Sequence, residues 1–149
     1  MKVIDLKKEK KLLQQYVDLR NQYVHLLLTL PVFLDKTEEW LRKTDTEVRG
    51  IVQDETLYGV AILYVNMGGE IAFFVREQNK GLGSQLLNII ETVAMERGVK
   101  AVWAWVLDNN EIAQKVFEKS GYMREERIEK KVYNQKDYQG IIYRKELIR

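Results

Sequence analysis

The chain has no cysteine, a single histidine and a single proline in 149 residues. Without cysteine there is no disulfide, no thiolate zinc site and no cysteine nucleophile. His25 is the only imidazole, so a multi-histidine metal centre is excluded and no metal is expected. A serine–histidine–aspartate triad would have to recruit that one residue, which sits among leucines and reads better as a packed helix residue. Long apolar runs are also missing. The longest, about Leu26 to Leu34, is interrupted by Thr29 and Pro31 and falls far short of a bilayer span. Met1 to Leu6 passes straight into Lys7-Lys8-Glu9-Lys10-Lys11 without the apolar centre of a secretion signal. A cytoplasmic location is the default expectation. Neither sign of charge dominates: 24 Lys and Arg against 22 Asp and Glu give +2, which gives no reason to expect a nucleic-acid or membrane partner.

Hydrophobic residues make up 46% and charged residues 31%, the composition of a folded globular chain. The length suits one domain over residues 1–149. Val3 to Leu6 suits a short strand. Lys7 to about Arg20 places Leu12, Leu13, Tyr16, Val17 and Leu19 mostly at helical spacing, continuing loosely toward Pro31. Asp35 or Thr37 is the expected cap of a short helix through Leu41. The period then changes. Glu47–Gln53, Leu57–Val65 and Glu70–Val75 are rich in β-branched and aromatic residues and are separated by good turn sequences, the mark of an antiparallel meander. Gly83 to Arg97 is amphipathic with Leu82, Leu86, Leu87, Ile90, Val93 and Ala94 on one face, and Gly98 ends it. Val99–Leu107 is continuously apolar and predicts a strand buried on both faces. Asn109 or Asn110 caps a helix with Ile112, Ala113, Val116 and Phe117 inward. Tyr122–Tyr133 and Tyr138–Leu147 form a closing hairpin. The fold class is therefore mixed α/β.

The chemistry concentrates at Arg76-Glu77-Gln78-Asn79-Lys80-Gly81-Leu82-Gly83-Ser84, where a strand hands over to a helix. Glycines there allow close backbone approach. The first helical turn carries unpaired N–H groups and a partial positive charge, a seat for phosphate. A P-loop string is absent from the chain, and Leu86 occupies the third glycine position of the dinucleotide fingerprint. What remains is Gln-x-x-Gly-x-Gly, carried by Gln78, Gly81 and Gly83.

About thirty residues on, a second string follows in register: Asn110, Ala113, Phe117, Glu118, Gly121 and Tyr122. Together the two motifs resemble the GNAT superfamily of acyl-CoA-dependent N-acetyltransferases, most strongly from about Leu57 to Tyr122. The resemblance implies a mostly antiparallel twisted sheet of about six to seven strands, splayed in the middle and flanked by about four helices. It implies acetyl-CoA as cofactor, with its pyrophosphate on the backbone from Gln78 to Ser84, including Asn79, Lys80, Gly81, Leu82 and Gly83. The pantetheine arm would lie between the strands Glu70–Val75 and Val99–Leu107, near Phe74, Val75, Asn110 and Phe117. Asn110 is equally a plain helix cap. Lys115 and Lys119 read better as a solvated helix face than as partners of a cofactor phosphate.

The reaction so implied is direct attack of a primary amine of a small molecule, with a protein N-terminus or lysine as the alternative acceptor. An amine with a pKa of about 10 needs a base. Glu70 is the candidate, matching the glutamate of the Glu-Ile-x-Phe strand in some histone acetyltransferases of the superfamily. The backbone N–H of Phe74 or Val75 is the candidate oxyanion donor. One position departs from the pattern. Many members carry a tyrosine as general acid where this chain has Phe117, and Tyr122 is the nearest replacement, with Tyr133, Tyr138 and Tyr143 behind it. That departure also admits a non-catalytic acyl-CoA-binding module. Tyr23 and Trp105 are candidates for the acceptor site, although core packing is the stronger expectation for Trp105. The closing hairpin would form the other wall of the acceptor site or a homodimer contact.

Overall fold

The computed structural model of the chain describes residues 1–28, 31–77 and 81–147, apart from the side chains of residues 126 and 127. Chain order runs β1 (Lys2–Asp5), α1 (Leu13–Asn21), α2 (Val24–Leu27), α3 (Leu34–Leu41), β2 (Thr46–Gln53), β3 (Thr56–Tyr64) and β4 (Glu70–Val75). It continues with α4 (Leu82–Glu96), β5 (Ala101–Leu107), α5 (Glu111–Lys119), β6 (Met123–Tyr133) and β7 (Lys136–Glu146). The strands form a seven-stranded sheet in the order β1-β2-β3-β4-β5-β7-β6. Every neighbouring pair is antiparallel except β4–β5. The two hairpins turn on Asp54-Glu55 and Asn134-Gln135, both residues of each pair having positive φ, the geometry that matches strand twist. Among the described residues, no helix is long and apolar enough to cross a membrane.

Each face of the sheet has its own core. On one side Ile71, Val102, Ala104 and Val106 pack with Leu86, Leu87 and Ile90 of α4 and Phe117 of α5. On the other, Val48, Val60, Ile62 and Phe74 pack with Leu13, Tyr16 and Val17 of α1 and Leu41 of α3. The alternation along β4 and β5 follows from this: odd and even residues serve different layers.

Several expectations are corrected. The first helix does not begin at Lys7. Leu6–Lys8 and Lys10–Leu12 are two 3₁₀ turns around Glu9, whose φ/ψ of −122°/69° is not helical. Asp5 caps the first by accepting from the Lys7 N–H at 3.0 Å. This kink lets Leu6 and Leu12 both bury, which a straight helix from the basic run would not allow. Neither Asp35 nor Thr37 caps α3, which starts at Leu34 after Phe33. The Thr37 hydroxyl instead donates back to the Phe33 carbonyl at 2.7 Å. β5 is not buried on both faces: Val102, Ala104 and Val106 are buried, whereas Trp103 and Trp105 are half-buried on the other side. Ile112 is 44% exposed rather than inward.

Candidate active site

β4 and β5 run parallel and share a single register pair, Glu70 with Trp103. The Trp103 N–H donates to the Gly69 carbonyl at 3.1 Å, and among the described residues no further pair joins the two strands. The sheet is therefore open at its centre. On the β3 side, the Arg76 N–H donates to the Tyr58 carbonyl at 2.7 Å. Because backbone polarity alternates along an antiparallel strand, Phe74 turns its N–H to β3 while Phe73 and Val75 turn theirs to the gap. This corrects the expectation for Phe74 as a backbone donor. Its buried side chain still lines the inner end of the opening. The Val75 carbonyl is met by the Tyr23 hydroxyl, which donates to it.

A groove of about 540 Å³ runs from this gap between α4 and α5. Gly81, Leu82, Gly83 and Ser84 line its mouth. Gly81 precedes the helix with φ 73°, a conformation that favours glycine. The first intrahelical bond is Gln85 N–H to Gly81 carbonyl, and among the described residues the N–H groups of Leu82, Gly83 and Ser84 have no backbone partner. No acidic side chain occupies that first turn. Gly83 has no room for a side chain: a Cβ would stand 3.0 Å from both Phe73 and Val116. Lys115 and Lys119 line the opposite wall, and Glu77 the rim. Both lysines are exposed, in keeping with a solvated face, and also line the groove. Gln78, Asn79 and Lys80 lie outside the described residues.

Toward the gap the groove narrows to a space of about 50 Å³ bounded by Tyr23, Leu26, Leu27, Phe74, Asn110 and Ala113. Asn110 does two things there. It lines the space and caps α5, its Oδ1 accepting from the Ala113 N–H at 3.3 Å.

Glu70 stands where the strands part, on the face opposite α4. Burial pushes its carboxyl above the usual range, and Lys131 partly offsets this. Trp105 shares that face. Its Nε1 donates to the Glu129 carbonyl at 3.0 Å, and the Lys131 ammonium lies 4.7 Å from its ring centre. The ring sits directly on Gly140, where an added Cβ would fall 2.0 Å from it. Gly140→Ala should expel the ring from this seat. We expect a loss of about 1–3 kcal/mol in urea unfolding and a shift in tryptophan emission, as for other overpacked sites.

Tyr122 and Phe117 are placed differently from expectation. Tyr122 is buried, and its hydroxyl donates to Glu91 Oε2 at 2.8 Å. Burial and the neighbouring Glu91 carboxylate push this phenol far up. Lys145 joins the same carboxylate at 3.0 Å. Phe117 is buried behind Phe73, its ring 5.5 Å from Phe73, 5.0 Å from Tyr122 and 5.6 Å from Tyr143. The Tyr143 hydroxyl donates to Glu118 at 2.7 Å. So the phenols near Phe117 are tied to carboxylates, and the hydroxyl at the gap belongs to Tyr23. His25 is exposed on α2. Phe73, not among the sequence candidates, faces the groove, and Lys131 lies beside Glu70, on the hairpin that the sequence places as the other wall of the acceptor site. Phe73 was legible in the alternation of β4, whereas Lys131 reaches Glu70 only through the hairpin.

The chain matches the acetyltransferase (GNAT) family over residues 12–122. It belongs to the GNAT family. As a GNAT acetyltransferase it uses acetyl-CoA as the acetyl donor. Solved structures agree in fold. An N-acetyltransferase from Staphylococcus aureus Mu50 superposes with a TM-score of 0.84 at 16% identity, covering 99% of this chain and 100% of that one. A ribosomal-protein-alanine N-acetyltransferase from Brucella melitensis gives 0.85 at 17%, covering 99% and 100%. A Salmonella typhimurium structure solved with its cofactor acetyl-CoA gives 0.85 at 16%, covering 99% and 94%. No curated protein sequence matches the chain. The GNAT core accounts for the open sheet: the parting of β4 from β5 sits where the superfamily resemblance puts the cofactor arm.

Proposed function

We propose that this GNAT protein transfers an acetyl group from acetyl-CoA to a primary amine of a small molecule. The observation that carries the reading is the single register pair between β4 and β5, which leaves backbone N–H donors of β4 facing an open gap whose inner end is closed by the Tyr23 hydroxyl on the Val75 carbonyl. The residues present suit the cofactor. Three helix N–H groups and two lysines would face a diphosphate at the groove mouth, and the lack of a side chain on Gly83 lets Phe73 and Val116 pack against the start of α4 beside it. Bound there, acetyl-CoA supplies an activated acyl thioester. Val75 and Phe73 offer N–H groups to an acyl oxygen in the gap. Tyr23, Leu26 and Leu27 close the inner end, and about 50 Å³ of room there suits a short acyl group.

Glu70 receives the proton of the acceptor ammonium. Its upward shift brings it closer to neutral pH, which improves the match between base and amine. Trp103, Trp105 and Lys131 bound the acceptor side. Tyr122 serves as a tether between α4 and the hairpin and takes no part in the chemistry. Tyr122→Phe should therefore lower stability by about 1–2 kcal/mol in urea unfolding and leave kcat within about twofold. A hundredfold fall in kcat with an unchanged midpoint would return Tyr122 to the mechanism.

Phe117 favours a second reading, an acyl-CoA-binding module without turnover, since no hydroxyl occupies that position. Thiol release from acetyl-CoA against a mixed amine panel decides between the two. Release that depends on an amine supports transfer, and tight binding without release supports the module.

A further inference from the structure

On the face that carries Glu70, an alcove of about 290 Å³ opens between α1 and α3, bounded by Tyr16, Arg20, Val32, Phe33, Lys36 and Trp40. Its chemistry is unusual for a gap between packed helices. Arg20 lies inside it with its guanidinium 5.4 Å from the Trp40 ring centre. Nη1 donates to the Tyr16 hydroxyl at 2.6 Å, the Tyr64 hydroxyl is a second side-chain hydrogen-bond partner of the guanidinium, and the buried Nε has none. Among the described residues no carboxylate pairs with this arginine, although the partly buried Arg49 and the more exposed Arg97 both have one. Lys36 adds a second positive charge at the rim, in an exposed contact with Glu39 at 3.6 Å. A guanidinium withdrawn from water without an anion is costly, and the walls around it are aromatic and aliphatic rather than acidic.

The alcove is also connected to the site described above. The Trp40 ring lies 6.2 Å from Tyr64, and Tyr64 is the cross-strand partner of Glu70 on β3. Cross-strand partners present their side chains on the same face of the sheet. Arg20, Tyr64 and Glu70 thus follow one another on this face, so that a molecule anchored at Arg20 would extend over Tyr64 toward the Glu70 carboxylate.

We propose that the α1–α3 alcove is the subsite for a carboxylate carried by the acceptor, with Arg20 as its binding group and Trp40, Tyr16 and Phe33 as the apolar bed for its side chain. The acceptor class is then an amino acid with an apolar or aromatic side chain, rather than a polyamine or an amino sugar. This deepens the amine-transfer reading and rests on it for the acceptor's role, but the anion site itself can be measured alone.

The test titrates the wild-type protein with phenylalanine, leucine and methionine and with their carboxamides, following tryptophan fluorescence, since Trp40 lines the alcove. The amides keep the amine and the side chain and lose only the anion. We expect at least one amino acid to bind about 30-fold or more tighter than its amide, the scale of a charge-assisted pair with a partly buried arginine. Arg20→Met should abolish that preference, and Arg20→Lys should restore only part of it, because an ammonium lacks the planar fork. Equal binding of every acid and its amide to the wild type overturns the proposal, whatever the variants do. Carboxylate-dependent binding without thiol release from acetyl-CoA upholds the alcove and removes the transfer reading. Thiol release that favours amides, polyamines or peptide N-termini over free amino acids overturns the alcove and leaves transfer standing.

Discussion

Gly81→Asp removes the thermal protection that acetyl-CoA gives the wild-type protein. At about a hundred times its Kd a ligand adds about 2.7 kcal/mol, which for a chain of this size raises the melting temperature by about 5–10 °C. The substitution is chosen so that the fold survives it. An added Cβ at Gly81 meets nothing within 4 Å, and aspartate is among the residues that tolerate positive φ, so the ligand-free variant loses only about 1 kcal/mol. The new carboxylate stands at the amino end of α4, where the unpaired N–H groups would otherwise face a diphosphate. Differential scanning fluorimetry with and without acetyl-CoA reads the effect. A variant that still gains the full shift would place the pyrophosphate somewhere else.

The second large effect is at Glu70, and it has opposite signs for activity and stability. Glu70→Gln should lower kcat/KM by about 10²–10³-fold near neutral pH through loss of the base. In the wild type the rate should rise with pH through the Glu70 pKa, which lies above the ordinary carboxylate value because the group is half-buried. The variant should lack that limb, and its deficit should shrink as the pH approaches about 10, where the amine loses its proton to solvent. Stability moves the other way. A carboxyl whose folded pKa is raised favours the folded state most while it is protonated, below its unfolded value. That contribution disappears as the pH rises through the folded value. At neutral pH the wild type therefore carries a destabilising charge that glutamine lacks, so Glu70→Gln should melt higher than wild type at pH 7 and level with it at pH 4. A variant with wild-type kinetics across the range would remove Glu70 from the chemistry.

How much of this was legible depends on whether the signal is local. The turn into α4 could be read because glycine, leucine and the helical period are all contained in one short string. The meander and both hairpins could be read for the same reason. The buried strand was misjudged because Ala101-Val102-Trp103-Ala104-Trp105 is apolar at every position, so composition hides which residues alternate outward. The start of α1 is hidden because Lys7 to Lys11 has good helical propensity, while the chain in fact buries Leu6 and Leu12 through two tighter turns. Tyr122 is near Phe117 in sequence, but the partner of its hydroxyl, Glu91, lies 31 residues away on α4, where no local string shows it. The Arg20 alcove is assembled from two helices and the segment between them, and no string of residues announces it.

The parting of β4 from β5 also bears on how the molecule holds together. Strands β1 to β4 form one leaf and β5, β7 and β6 form another, and the leaves share backbone pairing at one point. Across the rest of the seam, α4 and α5 lie like a spine on a book, helped by the Trp103 Nε1 bond to the Met67 carbonyl and by Lys131 beside Glu70. A guest that lays its own amides along both inner edges completes the missing ladder. Such a guest turns a hinged pair into one continuous plate, so that the stiffness of the whole domain, and not only the contents of a groove, should change each time it arrives and departs.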